Sequence, residues 1–515
     1  MATVTSQLTR VTDADAGTWV STGGGAGGAS NTDIFIQGLG SFGRRGSNVT
    51  DHGFLFDNAT GIDLSAAGLH VGFWLWHTHY SKITAAKFQL GADTTNFDRH
   101  HFDVNKYPPT GGFIRVWANL GRTPDSTGGT GLNKSSTRYF GCAWSCPSVG
   151  GNVANEILDA IDYTSAGLLL TGTAGVFSDF VAADEGDDTN KYGVVTTKDG
   201  VIYCLARLTL GSATSLAFAD TGFALIFADQ DLVASNFMGV TVDLQNASTT
   251  VDWSNAVVRS AGSVKGDIIV TGTSGQLNII NSTLASLRTI VLTSACSVDS
   301  TLISACGQIV AAGANVRSCN IVDSTATAAL LWNVNTDTST KLDDTNFTST
   351  GTGHALEFGP NTPSSISLIR VGFSGYGADD TTDATIYNNS EKEVTISIAD
   401  GDTPTIRNGT NASTILILDV RTFSFSVLDV AGTPITGYEW RLYEASGTPG
   451  VLGTVELAGE ESATLSSQSY IYEYDVDTDI VLQVIHNDYL ESITRDTLEN
   501  ANKSIIIRLI KEENI

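Results

Sequence analysis

The chain has 515 residues, enough for about three ordinary domains, and its 41% hydrophobic content can fill packed cores. A formal net charge of -27 repels phosphate backbones and anionic bilayers, which sets nucleic acid and membrane insertion aside as partners. Fifty-three Gly against nine Pro, with abundant Ser, Thr, Asn and Asp, is a composition of short strands and tight turns rather than long helices.

The opening MATVTSQLTRVTDADAG has neither a basic n-region nor an apolar h-region, so no signal peptide is expected. A Gly-rich tract, Ser21 to Asp33, leads into strand-like runs at Ile34 to Leu39, His70 to Tyr80, Lys87 to Ala92 and Gly112 to Leu120. Further runs follow at Leu168 to Gly172, Tyr192 to Thr197, Val201 to Leu210 and Phe223 to Ala228. Many short strands between turn signals predict an all-β sandwich or jelly roll over residues 1–251. NEILDAIDY (Asn155 to Tyr163) has helical spacing and reads as a short helix on that sandwich.

Six of the eight His fall between His52 and His101. In HVGFWLWHTHY, strand parity puts Phe73, Leu75, His77 and His79 on one face, and Trp74, Trp76, Thr78 and Tyr80 on the other. His77 and His79 are therefore side by side, and His100 with His101 could complete a metal site from a neighbouring strand. The Glu that a cupin-type H-x-H pair requires downstream is missing, which favours a central strand covered on both faces at Phe73 to Trp76 and wet at His77 to Tyr80. Trp74, Trp76, Tyr80, Trp117 and Trp144 are the aromatics available to stack on a glycan; the competing reading is sandwich core. An acidic loop gathers Asp184, Glu185, Asp187 and Asp188 in a Ca²⁺-like composition without EF-hand order, and reads as a solvated turn.

Residues 252–419 carry a recurring phrase: IINSTLAS (Ile279 to Ser286), SVDSTLIS (Ser297 to Ser304) and NIVDSTAT (Asn320 to Thr327). Its anchors Asn281, Asp299, Asp323 and Asp343 are 18, 24 and 20 residues apart, a period that predicts the coils of a parallel β-helix-like solenoid. Apolar residues would point inward, and the Asx and Ser/Thr residues would turn the chain at a corner. Cys296, Cys306 and Cys319 fall among the apolar positions, and six Cys in so long a chain read as buried thiols rather than a disulfide scaffold.

Residues 420–515 alternate through FSFSVLDVAGTPITGYEWRLY (Phe423 to Tyr443) and two later runs, which suits an Ig-like β-sandwich with Trp440 in its core. No G-x-S-x-G, H-E-x-x-H or P-loop occurs. The carboxylates that could serve a solenoid hydrolase are Asp343 with Asp344, Glu357 near His354, and Asp379 with Asp380, and no spacing singles out an acid and a base. No cofactor is expected.

The DST/NST coils between Asn281 and Thr325 and the FSVLDVAGTPITGYEWRLY hairpin, following a Gly-rich start and a lectin-like sandwich, resemble bacteriophage virion proteins of the tail- or head-attached fibre and spike kind. The resemblance implies a non-enzymatic structural role, other virion proteins as partners, a homo-oligomer with a trimer favoured, and contact with a host-surface glycan. It also implies location in a virion assembled in the host cytoplasm. The alternative from the same resemblance is a polysaccharide-cleaving tail-spike depolymerase.

Overall fold

The computed structural model describes residues 2–15, 17–22, 29–31, 41–46, 49–66, 68–77, 83–102, 112–146, 154–185, 191–228, 238–261, 266–417, 420–445, 455–473, 478–499 and 502–511. The fold is all-β. Among the described residues the single α-helix is Phe177–Glu185, and none is long and apolar enough to cross a membrane.

The N-terminal sandwich packs two antiparallel sheets face to face. One runs Phe113–Asn119, His70–His77, Ala154–Thr164, Ser41–Gly46, Ala29–Asn31; the other runs Ser126–Gly128, Phe97–Phe102, Ala85–Gly91, Thr137–Cys146, Val49–Ile62, Thr18–Thr22. Alternation sends one face of each sheet inward. Phe73 from the first sheet stacks on Phe88 of the second at 4.9 Å and meets Phe102 edge-on at 5.8 Å. The segment read as a helix is instead the strand Ala154–Thr164, bulged at Ala160, whose φ is +33°. Ile157 to Ile161 are buried without interruption because this strand lies between two others and is covered on both faces, and unbroken burial mimics helical spacing.

The solenoid begins at Leu168, not at 252. The expected boundary cuts through Thr250–Ser254, which is paired in parallel with Leu216–Thr221 on one side and Gln276–Ile280 on the other. Runs read as sandwich strands, such as Val201–Cys204 and Ala224–Ala228, are coil strands. Even Ala2–Ser6 leaves the sandwich and pairs antiparallel with Leu168–Gly175, the strand that opens the solenoid. The early coils hid because they are long: Leu208 registers with Val240, 32 residues on, and lacks the Asx-Ser-Thr corner.

Each coil contributes strands to three faces. Leu225, Val258, Leu284, Ile303, Ile321 and Phe347 stack inward in register on one face, and all are buried. Leu208, Val240, Ile268, Ile290, Ile309, Leu330, Leu356 and Ile386 do the same on another. The corner between two faces is a column of left-handed residues, Asn281, Ser300, Ser318 and Asp344, with φ of +50° to +57°. Each donates its amide to a carbonyl of the next coil: Asn281 to Asp299, Ser300 to Arg317, Ser318 to Asp343 and Asp344 to Ile369. The next residue closes the corner. The Ser282, Thr301 and Cys319 side chains donate to the carbonyl two residues earlier, at 2.8, 2.9 and 3.2 Å. Cys319 thus stands in for the Ser/Thr of the phrase, while Cys296 stacks inward against Leu277. Asp323 belongs to a second corner, with Ser286 and Ala305, so the sequence anchors mixed two columns.

An open solenoid end would expose core and strand edges. The helix Phe177–Glu185 covers the first coil, with Phe177 packed on Phe218, Phe223 and Trp253 at 5.0, 4.6 and 5.6 Å. Asp184, expected in a solvated turn, is buried and accepts the backbone amides of Tyr192, Gly193, Val194 and Val195, each at 2.8 Å. Glu185's side chain, Asp187 and Asp188 lie outside the described residues. At the other end the Ig-like sandwich, a three-stranded sheet on a four-stranded one, packs Trp440 edge-on to Phe425 at 5.2 Å. It meets the solenoid through Asp400, which binds Arg421 at 3.2 Å and Asn502 at 2.6 Å.

Candidate functional site

Trp74 and Trp117 are buried and not open to a sugar. The even-numbered face of the His70–His77 strand points outward from the sandwich, but the first solenoid coil covers that face. Trp117 donates its indole N–H to the Gly193 carbonyl at 3.0 Å and packs against Gly72, where a Cβ would meet the indole ring. Arg115 lies over both rings, 5.5 Å from Trp74 and 4.7 Å from Trp117. Its guanidinium is fully buried and binds the Ala160 carbonyl at 2.8 Å and the Asp162 carboxylate at 2.6 Å. Trp74 and Trp117 are therefore joint residues, buried between two modules. Trp76 is half-buried beside them, Trp144 sits in the sandwich core, and Tyr80 lies outside the described residues.

The three described candidate metal ligands, His77, His100 and His101, do not form a metal-binding group either. His77 is buried rather than wet, and His79 lies outside the described residues. His100 faces the core, opposite Phe88, while the next residue, His101, faces away, its backbone amide bound to Asp125 at 2.6 Å. The charged groups around His100 are Arg122, Asp125, Lys134 and His101, and His100 in turn acts weakly on His70. Seven strand steps separate His70 from His77, about 23 Å at 3.3 Å per residue. Among the described residues no group of three His, Cys, Asp or Glu stands close enough to hold a metal. Burial pushes the His100 imidazole down to about 4, the behaviour of a core histidine.

The solenoid presents a different site. Glu357, Tyr387 and Arg407 occupy one register position on three successive strands, between inward Leu356, Ile386 and Ile406. They border a cavity of about 530 Å³ that Thr327, Thr352, Gly353, His354 and Thr382 complete. Tyr387 is held between two neighbours: the His354 ring stacks at 5.2 Å from the preceding strand, and Arg407 lies 5.1 Å over the ring from the following one. His354 Nδ1 is 2.5 Å from the Ala384 carbonyl, which only accepts, so Nδ1 carries the hydrogen and Nε2 the lone pair. Burial keeps this imidazole neutral by lowering its pKa. Glu357 accepts from Asn389 Nδ2 at 3.1 Å. The arrangement offers two acceptors, one cation and three threonine hydroxyls to a small polar ligand.

The other carboxylates considered are engaged in structure. Arg370 binds Asp343 at 2.6 Å and Asp344 at 2.7 Å across the corner. Asp379 accepts the Ile406 amide at 2.6 Å, and Asp380 is a left-handed turn residue at φ +61°. Among the described residues Glu357 is the one carboxylate bordering the cavity, whereas hydrolysis of a glycosidic bond ordinarily takes two. Sequence reasoning found Glu357 and His354 but missed Tyr387 and Arg407. Only the coil register connects them, and the steps from Leu356 to Ile386 and on to Ile406 are 30 and 20 residues.

No protein-family model matches the chain, and no curated protein matches it. Among solved structures, one described as the structural analysis of an exo-beta-agarase is similar over 31% of this chain and 25% of that chain, at 12% identity and a TM-score of 0.23. The match spans a quarter of that chain, and a likeness of this size carries no argument about activity.

Proposed function

We propose that the chain is a non-enzymatic structural and attachment protein of the bacteriophage fibre or spike kind. It works with other virion proteins, as a homo-oligomer with a trimer favoured, and contacts a host-surface glycan. What supports this reading is the continuous parallel ladder between the two terminal modules. From Leu168–Gly175 to Ile406–Asn408 one face is ten strands deep. Nine spacings of about 4.8 Å give a rod about 43 Å long. Its hydrogen bonds run from coil to coil, along the direction in which a fibre bears load.

Sedimentation tests the proposal. The purified protein is expected to co-sediment with virions or host cells, and to elute as an oligomer in size-exclusion chromatography with light scattering. A monomer that associates with neither overturns it.

The cavity supports a second reading, polysaccharide cleavage with Glu357 as the acid. Reducing-end release from host polysaccharide, lost in Glu357→Gln, would favour it over the first.

A further inference from the structure

In a chain of net charge -27, most guanidinium groups are matched to a carboxylate. Arg115, Arg138, Arg288, Arg317, Arg370 and Arg441 are each ion-paired. Arg407 is not among them, and it is the arginine that borders the cavity described above. Among the described residues it makes no hydrogen bond or ion pair; its guanidinium lies over the Tyr387 ring at the border of the cavity, which leaves its planar donor fork for a ligand. Glu357 does not neutralise it, because the Tyr387 strand lies between them. Two strand spacings put their backbones about 9.6 Å apart, about the Debye length at physiological ionic strength. The cavity therefore presents a carboxylate and a guanidinium that are not joined in an ion pair.

Stacking on a sugar face is not available here, since His354 and Arg407 cover both faces of Tyr387. Recognition must come from hydrogen bonds. At one end Glu357 and the Nε2 lone pair of His354 accept from hydroxyls. Along the rim Thr327, Thr352 and Thr382 can donate or accept. At the other end a free guanidinium fits a carboxylate through two parallel N–H···O bonds. A cavity of about 530 Å³ lies in the size range of small-ligand sites.

We propose that this cavity binds an acidic saccharide, with a uronate carboxylate on Arg407 and ring hydroxyls on Glu357 and His354. The inference rests on the attachment reading for its biological setting, and it moves the glycan contact from the Trp-rich strand to the solenoid.

The test is a glycan array carrying uronate-containing, sulfated and neutral oligosaccharides, probed with the full chain. Uronate glycans are expected to give the signal. Arg407→Gln is expected to reduce it at least tenfold, and Glu357→Gln to weaken it as well, both with unchanged melting temperature because these side chains face outward. Signal confined to neutral or sulfated glycans, no signal at all, or a uronate signal indifferent to Arg407→Gln would each overturn the proposal. Virion and cell co-sedimentation is scored separately, so a protein that attaches without binding uronates refutes this inference alone.

Discussion

His100 ties stability to pH in a way that can be worked from its surroundings. It is 3% exposed, opposite Phe88, and its Nδ1 is buried with no hydrogen-bond partner. Burial holds the imidazole neutral, and the nearby positive charges of Arg122 and Lys134, with His101, push the same way against the opposing Asp125 carboxylate. The folded state takes its proton at about 4 and the unfolded chain near 6.5. The folded value is thus the lower one, so the contribution is intact above pH 6.5 and lost as pH falls toward 4. At about 1.36 kcal/mol per pH unit the full loss is about 3 kcal/mol. Buried His70, whose pKa burial also lowers and which His100 adjoins, pushes in the same direction. His100→Leu removes the titration at similar volume. Five of the eight Trp lie in the sandwich sequence, so denaturant unfolding followed by Trp emission reports mainly on that module. Between pH 7.5 and 4.5 the parent should lose about 2 to 3 kcal/mol more than the variant. If both midpoints fall in parallel, the burial of His100 does not set its pKa and the reasoning fails.

Three further outcomes follow from the packing. Gly72→Ala drives a Cβ into the Trp117 indole, which the Gly193 carbonyl fixes in place, so a loss of about 1–3 kcal/mol is expected as a lower melting temperature. Arg115→Met leaves the buried Asp162 carboxylate with Arg10 alone, and should cost about 3–5 kcal/mol in the same measurement, with early exposure of Trp74 and Trp117 to quencher. Cys142, Cys204, Cys296, Cys306 and Cys319 are free and buried, and burial pushes Cys204 and Cys319 up to about 12. In a Cys146→Ser background the native protein should therefore show no fast reaction with a thiol reagent at pH 8, and five thiols after denaturation.

The sequence showed its repeat most clearly where coils are shortest. From Asn281 to Ser300 to Ser318 the corner recurs after 19 and 18 residues, and Ser282, Thr301 and Cys319 follow it. Before Asn281 and after Ser318 the step widens to 26, measured from Asn255 and to Asp344, and inserted residues blur the period. That is why the solenoid seemed to begin near 252 and why the early coils read as sandwich. Strand parity in HVGFWLWH was readable and correct through His77. What covers each face was not, because no local pattern says that a coil 76 residues later will set the Gly193 carbonyl against Trp117. The same limit applies to His100, where a neighbouring His suggested a ligand pair and the two rings in fact face opposite ways.

The two aromatic-rich regions illustrate how a β-protein divides its side chains between cohesion and contact. The Trp74, Arg115 and Trp117 cluster has the composition of a binding surface, but Arg115 is spent on Asp162 and Ala160 and the rings are closed over. A guanidinium buried and bound at both terminal nitrogens inside the fold is closed to a ligand. Arg407 carries the same guanidinium next to an aromatic ring, yet its hydrogen-bonding edge has no partner among the described residues. Composition cannot separate the two cases, since both read as Arg beside an aromatic residue. Register can. Inward positions of a parallel solenoid are fixed by stacking, so each outward position must be met by a neighbouring coil, by solvent or by a ligand. Glu357, Tyr387 and Arg407 form an outward column in which, among the described residues, neighbours cover the ring but do not pair the cation, and that imbalance is what the proposed uronate contact rests on.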